Sequence, residues 1–171
     1  MSKTNINTVT KTLKTYEAIE YLTFYKTLRN NPETKNKYNV LSLLSQWAIQ
    51  KNVDVLLSIT KPYIDFSEEK QKELVEKYVS EGKTHVIQET QIDETGNEKL
   101  VDTTKVKEEF LPEFQSDYND LQNQLNTLLY QDNELIFSSI DLDTELLTCT
   151  KDSNLNMDDL EFLKLFNKSD E

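Results

Sequence analysis

Ser67-Glu-Glu-Lys-Gln-Lys-Glu-Leu-Val-Glu-Lys-Tyr-Val-Ser-Glu-Gly82 is the stretch whose reading decides the fold class. Leu74, Val75, Tyr78 and Val79 recur at spacings of three and four, which places them on one helical face. Ser67 suits an N-cap, and Glu68 and Glu69 suit the positive end of the helix dipole. Gly82 suits the residue just past a helix C-terminus. The segment therefore predicts a helix over 67–81. Only two glycines and three prolines occur in 171 residues. Tight turns of sheets and barrels depend on those residues, so their scarcity argues for helices joined by polar loops.

Working outward, Thr84–Gln91 and Lys99–Asp102 flank the turn-forming Asp93-Glu94-Thr95-Gly96-Asn97 and predict a β-hairpin. An isolated hairpin is marginal in water, so this one must lean on helices or pair with something else, and its edge is a docking surface. Thr104–Gln131 predicts interrupted helix, with Pro112 in the first turn of a new one. Phe110, Phe114, Tyr118, Leu121, Leu125, Leu128 and Leu129 line its face. Glu134–Ile140 predicts a strand. Asn156–Phe166 predicts a short helix capped by Asn156, with Asp158 and Asp159 in its first turn and Leu160, Leu163 and Phe166 apolar.

Toward the N-terminus, Val9, Leu13, Tyr16, Ile19, Leu22, Tyr25 and Leu28 predict one helix over 5–31, ended by Asn30-Asn31-Pro32. Glu33–Lys37 forms a connector. Tyr38–Lys51 predicts a second helix with Leu41, Leu44, Trp47 and Ala48 buried, continuing through Val53–Ile59 to Lys61-Pro62. The fold class expected is mainly α with a small β-hairpin and short strands (α+β), a single bundle-like domain. Its expected division is a basic N-terminal helix and connector over 1–37 and an acidic helical domain over 38–171. The expected core comprises Leu41, Leu44, Trp47, Leu74, Tyr78, Phe114, Leu121, Leu125 and Leu128. A long amphipathic N-terminal helix could also pair with its twin, giving a homodimer.

Charge is distributed unevenly. Residues 1–61 carry 9 basic and 4 acidic side chains, and residues 62–171 carry 10 and 27, for a net −12 overall. That field repels nucleic-acid phosphates and favours a basic protein surface. Lys3, Lys11, Lys14, Lys26, Arg29, Lys35 and Lys37 interleave with Tyr16, Tyr21 and Tyr25, as single-strand binders do. Glu17 and Glu20 interrupt the patch, and Arg29 is the only arginine, which argues against direct nucleic-acid binding. Acidic side chains along a ridge would instead imitate DNA phosphates and occupy a basic groove.

Catalytic chemistry finds little material. His85 is the only histidine and Cys149 the only cysteine, so neither a zinc site nor a disulfide framework can be assembled. Asp141-Leu-Asp143-Thr-Glu145 puts three carboxylates on one face of an extended segment, a conceivable Mg²⁺ or Ca²⁺ site. A calcium loop starting at Asp141 would need glycine where Leu146 stands and glutamate where Asp152 stands. Two glycines cannot build a phosphate-cradling loop. No enzyme, cofactor or metal is expected. The N-terminal residues start no apolar secretory region, and no run reaches the roughly 20 apolar residues that span a bilayer. No membrane contact and a cytoplasmic location are the resulting expectations. The candidate partner-binding residues are the acidic sets Asp141, Asp143 and Glu145, Glu108 and Glu109, and Asp93 and Glu94.

The helix around Leu41–Trp47, the Ser67–Gly82 segment, the hairpin, and the Phe110/Phe114/Tyr118 helix followed by Leu135-Ile-Phe137 together resemble an uncharacterised family of small bacteriophage proteins. The likeness covers about residues 38–147 and excludes the N-terminal helix. It carries no catalytic residues. The Asn-, Lys- and Thr-rich, Arg-poor composition fits the AT-rich coding of such phages. What the resemblance implies is an accessory protein of the host cytoplasm acting by stoichiometric binding. One role is inhibition of a host defence protein, a nuclease or CRISPR effector, through its basic surface, as an anti-CRISPR or DNA mimic. The alternative is a virion-assembly factor such as a tail-assembly chaperone.

Overall fold

The computed structural model describes residues 7–30, 41–92, 98–148 and 157–167. The chain is mainly helical with two two-stranded antiparallel sheets among those residues. In order, the elements are β1 (Thr8–Lys14), α1 (Thr15–Asn30), α2 (Leu43–Ser80), β2 (Thr84–Ile92), β3 (Glu98–Val106), a 3-10 turn at Glu108–Phe110, α3 (Leu111–Leu129), β4 (Asp132–Ser138), α4 (Leu142–Thr148) and α5 (Met157–Lys164). Two compact units result: residues 1–63 with 128–171, and residues 64–127. The expected connector over 33–37, the hairpin turn 93–97, Cys149 and the Asn156 cap lie outside the described residues.

In the first unit, β1 replaces the start of the expected N-terminal helix. Thr8-Val-Thr-Lys-Thr-Leu-Lys14 alternates, so Val9 and Leu13 are buried while Thr8, Thr10 and Thr12 face out. β4 pairs with β1 antiparallel, Thr8 opposite Ser138 and Lys14 opposite Asp132. Leu135 and Phe137 of β4 share the buried face. Against it pack Ala18 and Leu22 of α1, Ala48, Ile49, Val53 and Leu56 of α2, and Phe162, Leu163 and Phe166 at the C-terminal end. Phe166 lies edge-on to Phe137 and to Phe162, each at 5.2 Å. Burying each of these rings contributes about 1.5–3 kcal/mol from its area alone.

Two polar anchors hold this unit. Asn52 is fully buried on α2. Its Nδ2 donates to the Ser138 carbonyl at 2.8 Å, and its Oδ1 accepts the Ser138 N–H at 2.7 Å. The amide thus satisfies the edge of β4 as another strand would. The second anchor is Glu145 of α4. Its carboxylate accepts the Ser42 N–H at 2.8 Å and the hydroxyls of Ser42 and Ser45 at 2.5 Å each. Ser42 Oγ in turn accepts the Ser45 N–H at 3.2 Å, as an N-cap of α2. No acidic residue occupies the first turn of α2, and Glu145 brings the missing negative charge to that end of the helix.

In the second unit, α2 and α3 run antiparallel and the β2–β3 hairpin joins their ends. Lys77 and Lys83 on α2's last turn and exit pair with Asp117 and Glu113. Tyr78 is wholly buried, donates its hydroxyl to Asp117 at 3.0 Å, and meets the Phe114 ring edge-on at 5.1 Å. Gly82 stops α2 with φ +68, its N–H donating to the Val79 carbonyl.

The expected boundary at Pro62 and the N-cap at Ser67 are corrected: α2 continues through both. Proline removes one intrahelical bond and costs about 3 kcal/mol. Leu56 and Thr60, in the two turns before the proline, are fully buried. Ser67 Oγ instead accepts from Gln71 Nε2 along the helix. Trp47 and Leu44, expected in the core, are 44% and 58% exposed. Leu41, Tyr78, Leu121 and Leu125 are buried as expected, while Leu74, Phe114 and Leu128 are partly buried.

Candidate functional site

The root of the hairpin forms a groove of about 510 Å³ in the second unit. Its helical wall is Val75, Tyr78, Leu111 and Phe114, and its strand wall is Thr84, His85, Thr104, Lys105 and Val106. Helical spacing aligns Val75 with Val79, and the turn at Glu108–Phe110 swings Leu111 to the same side. Val75, Val79 and Leu111 remain 46–49% exposed. Val86, Ile92 and Leu100, along the strands, are 65–73% exposed. Exposed apolar side chains that meet in one concavity, as Val75 and Leu111 do here, mark a surface suited to contact.

The root is held firmly. Lys83 Nζ reaches Glu81 and Glu113 at 2.7 Å each and lies over the rings of Tyr78 and Phe110 at 5.2 and 5.4 Å. Those carboxylates raise its pKa above the ordinary lysine value, so it stays charged throughout the neutral range. The Lys107 N–H donates to the Lys83 carbonyl, and Lys107 Nζ to the Gly82 carbonyl. Burial pushes the Tyr78 hydroxyl up to about 12, with the Asp117 hydrogen bond adding to it. Tyr78 therefore acts as a donor and packing group at neutral pH.

Beyond the root, the hairpin is held mainly by its own ladder, Thr84 opposite Val106 through Ile92 opposite Glu98. Gln88 Nε2 donates to Asp102 across the strands, and Lys105 pairs with Glu89. Each strand keeps an outer edge that no other described strand pairs with. Such an edge can accept a further strand by backbone hydrogen bonding.

Set against protein-family models, curated proteins and solved structures, the chain matches none.

The acidic residues singled out in the sequence fall in different places. Glu108 lines the groove and Glu109 is exposed beside it. Asp93 and Glu94 lie outside the described residues. Asp141, Asp143 and Glu145 do not share an extended face, because α4 begins at Leu142 and winds Asp143 and Glu145 into a helix. Asp141 caps it, accepting the Thr144 N–H at 3.0 Å; Asp143 is exposed; Glu145 is buried at the Ser42 anchor. Burial pushes the Glu145 carboxyl up, but the bonds from Ser42 and Ser45 outweigh it and hold the group below the ordinary carboxylate range. Among the described residues no group of His, Cys, Asp and Glu is arranged to hold a metal ion. His85 is exposed on β2, opposite Lys105 across the ladder. No described helix is long and apolar enough to cross a membrane.

Sequence reasoning missed the groove itself. Val75 and Leu111 were legible as apolar, but the turn that brings them together at the hairpin root was not.

Proposed function

We propose that this chain is a non-catalytic bacteriophage accessory protein that forms a stoichiometric complex with another protein through the hairpin-root groove. The observation that carries the reading is the coincidence, in residues 64–127, of exposed apolar side chains, unpaired strand edges and most of the negative charge. That unit holds 16 acidic and 7 basic residues, a net −9 out of −12. An apolar centre with a charged rim is the usual anatomy of a protein interface. The charge selects a basic partner and speeds its approach.

The partner we favour is a host defence protein with a basic surface, a nuclease or CRISPR effector, met in the host cytoplasm and inhibited by occupation. Lys70, Lys72, Lys77, Lys83 and Lys105 pair with Glu73, Glu76, Asp117, Glu113 and Glu89. Lysines thus break up the negative surface, which favours an interface of mixed charge over a continuous row of phosphate-like groups. The unpaired strand edges favour one second reading, an assembly factor that captures a strand of a phage structural protein.

The test is affinity capture from infected and uninfected host lysate, with the complex mass fixed by light scattering. A host nuclease or effector held at fixed stoichiometry and loosened by salt supports inhibition. A phage structural protein supports assembly. Neither being captured, or capture unaffected by Val75→Asp with Leu111→Asp, overturns the binding reading at this groove.

A further inference from the structure

A second concavity, of about 420 Å³, lies in the other unit between α1 and α5. Its walls are aromatic: Tyr16, Tyr21 and Phe24 from α1, with Phe162 from α5. Phe162 stands 5.7 Å from the Phe24 ring and 6.4 Å from the Tyr21 ring, tilted against both. Glu17 and Glu20 of α1 and Glu161 of α5 complete the lining.

The carboxylates are set against the rings by the fold. Glu17 is the third residue of α1, and its Oε2 accepts the N–H of Lys14, the residue before the helix, at 2.7 Å. That one-sided cap holds the side chain through Oε2. Among the described residues no ion pair engages Glu17 or Glu20. Glu161 meets Lys164, one turn away, in an exposed pair at 3.0 Å. Tyr21's hydroxyl is raised above its ordinary value by burial, then by Glu17, Glu161 and Glu20, the three acids that line the pocket with it.

Ring faces and negative oxygens around one space suit a large, weakly hydrated cation. The electron-rich faces attract it, and the carboxylates neutralise it. A metal ion would want several oxygen ligands at close range, and here rings occupy most of the wall. Between the two protein cations, guanidinium fits better than ammonium. It is planar, stacks on aromatic faces, and offers a fork of donors to a carboxylate.

We infer that this pocket binds the guanidinium group of an arginine side chain on a partner protein. The site is distinct from the hairpin-root groove and does not depend on it. Its occupant would come from the same kind of basic surface that the net charge favours.

The experiment is a ¹H–¹⁵N NMR titration of the full chain with the probe acetyl-Gly-Arg-Gly-amide, beside its lysine counterpart, at moderate salt. Saturable shifts should centre on residues 16–24 and 161–162, with the lysine probe several-fold weaker. Glu17→Gln with Glu20→Gln should weaken the arginine probe about tenfold, the size of two lost charge contacts in a solvent-accessible pocket. The glutamines keep the acceptor for Lys14. Phe24→Leu, which alters no charge, should weaken binding as well. Shifts spread over the acidic surface, equal binding of the lysine probe, or unchanged affinity in both variants would each overturn the assignment.

Discussion

Glu145→Ala removes the one group that receives three hydrogen bonds at the start of α2. The wild-type carboxylate accepts the Ser42 N–H and the Ser42 and Ser45 hydroxyls and is 6% exposed. Bonds to a charged acceptor are worth about 1.5–3 kcal/mol each, and burying the carboxylate offsets part of their sum. The two hydroxyls can turn to other acceptors after the substitution, whereas the Ser42 N–H loses its partner. The expected loss is therefore about 3 kcal/mol, or a fall in Tm of roughly 6–12 °C for a chain of this size. Glu145→Gln keeps one acceptor and should cost about half as much. The pH dependence separates this account from simple loss of packing. Because the folded carboxyl titrates below its unfolded value, its contribution is complete above the unfolded pKa. It drains away as pH falls through the folded one. Urea unfolding followed by circular dichroism, from pH 7 down to about 3, should thus show wild type converging on Glu145→Gln. A loss under about 0.5 kcal/mol for Glu145→Ala, or a gap that does not change with pH, would refute the anchor.

Two further outcomes follow from the same geometry. Asn52→Ala leaves the N–H and carbonyl of Ser138 unpaired at a buried edge, so urea unfolding should report a loss of about 3 kcal/mol; Asn52→Asp, which can still accept the N–H but repels the carbonyl, should also destabilise. Gly82→Ala meets nothing within 4 Å, so only the left-handed backbone resists it, and the same assay should read about 1 kcal/mol.

Much of the second unit was legible because its signals are local. Leu74 and Tyr78, Phe114, Leu121 and Leu125, Gly82 and the flanks of the hairpin each announce themselves within a turn or two. The first unit was harder because its partners are distant in the chain. Val9 and Leu13 are four apart, a spacing that fits a helical stripe and one face of a strand equally. The alternating Thr8, Thr10 and Thr12 were the discriminating sign, and the partner strand begins at Asp132. Around the start of α2 the apolar residues pointed to Leu41, Leu44, Trp47 and Ala48; Leu41 and Ala48 are buried as expected, but in place of Leu44 and Trp47 the buried face takes in Ser45, Asn52, Leu56 and Thr60. Three of those are polar. Two of them, Ser45 and Asn52, are buried because Glu145 and Ser138 bond them from across the fold, and hydropathy carries no trace of that. The same distance concealed Glu145, which reads as one more acid in an acidic tract until Ser42 is beside it. Phe162, missed in α5, meets α1 aromatics that lie well over a hundred residues earlier.

The central claim is that the protein works by binding another protein at the hairpin root. Capture from host lysate by the wild type, by Val75→Asp with Leu111→Asp, and by Glu145→Gln tests it most directly. The substituted groove positions are half exposed, so the double variant should stay folded. The account predicts one main partner at fixed stoichiometry, lost with the groove variant and kept with Glu145→Gln. Equal capture by all three proteins would contradict it.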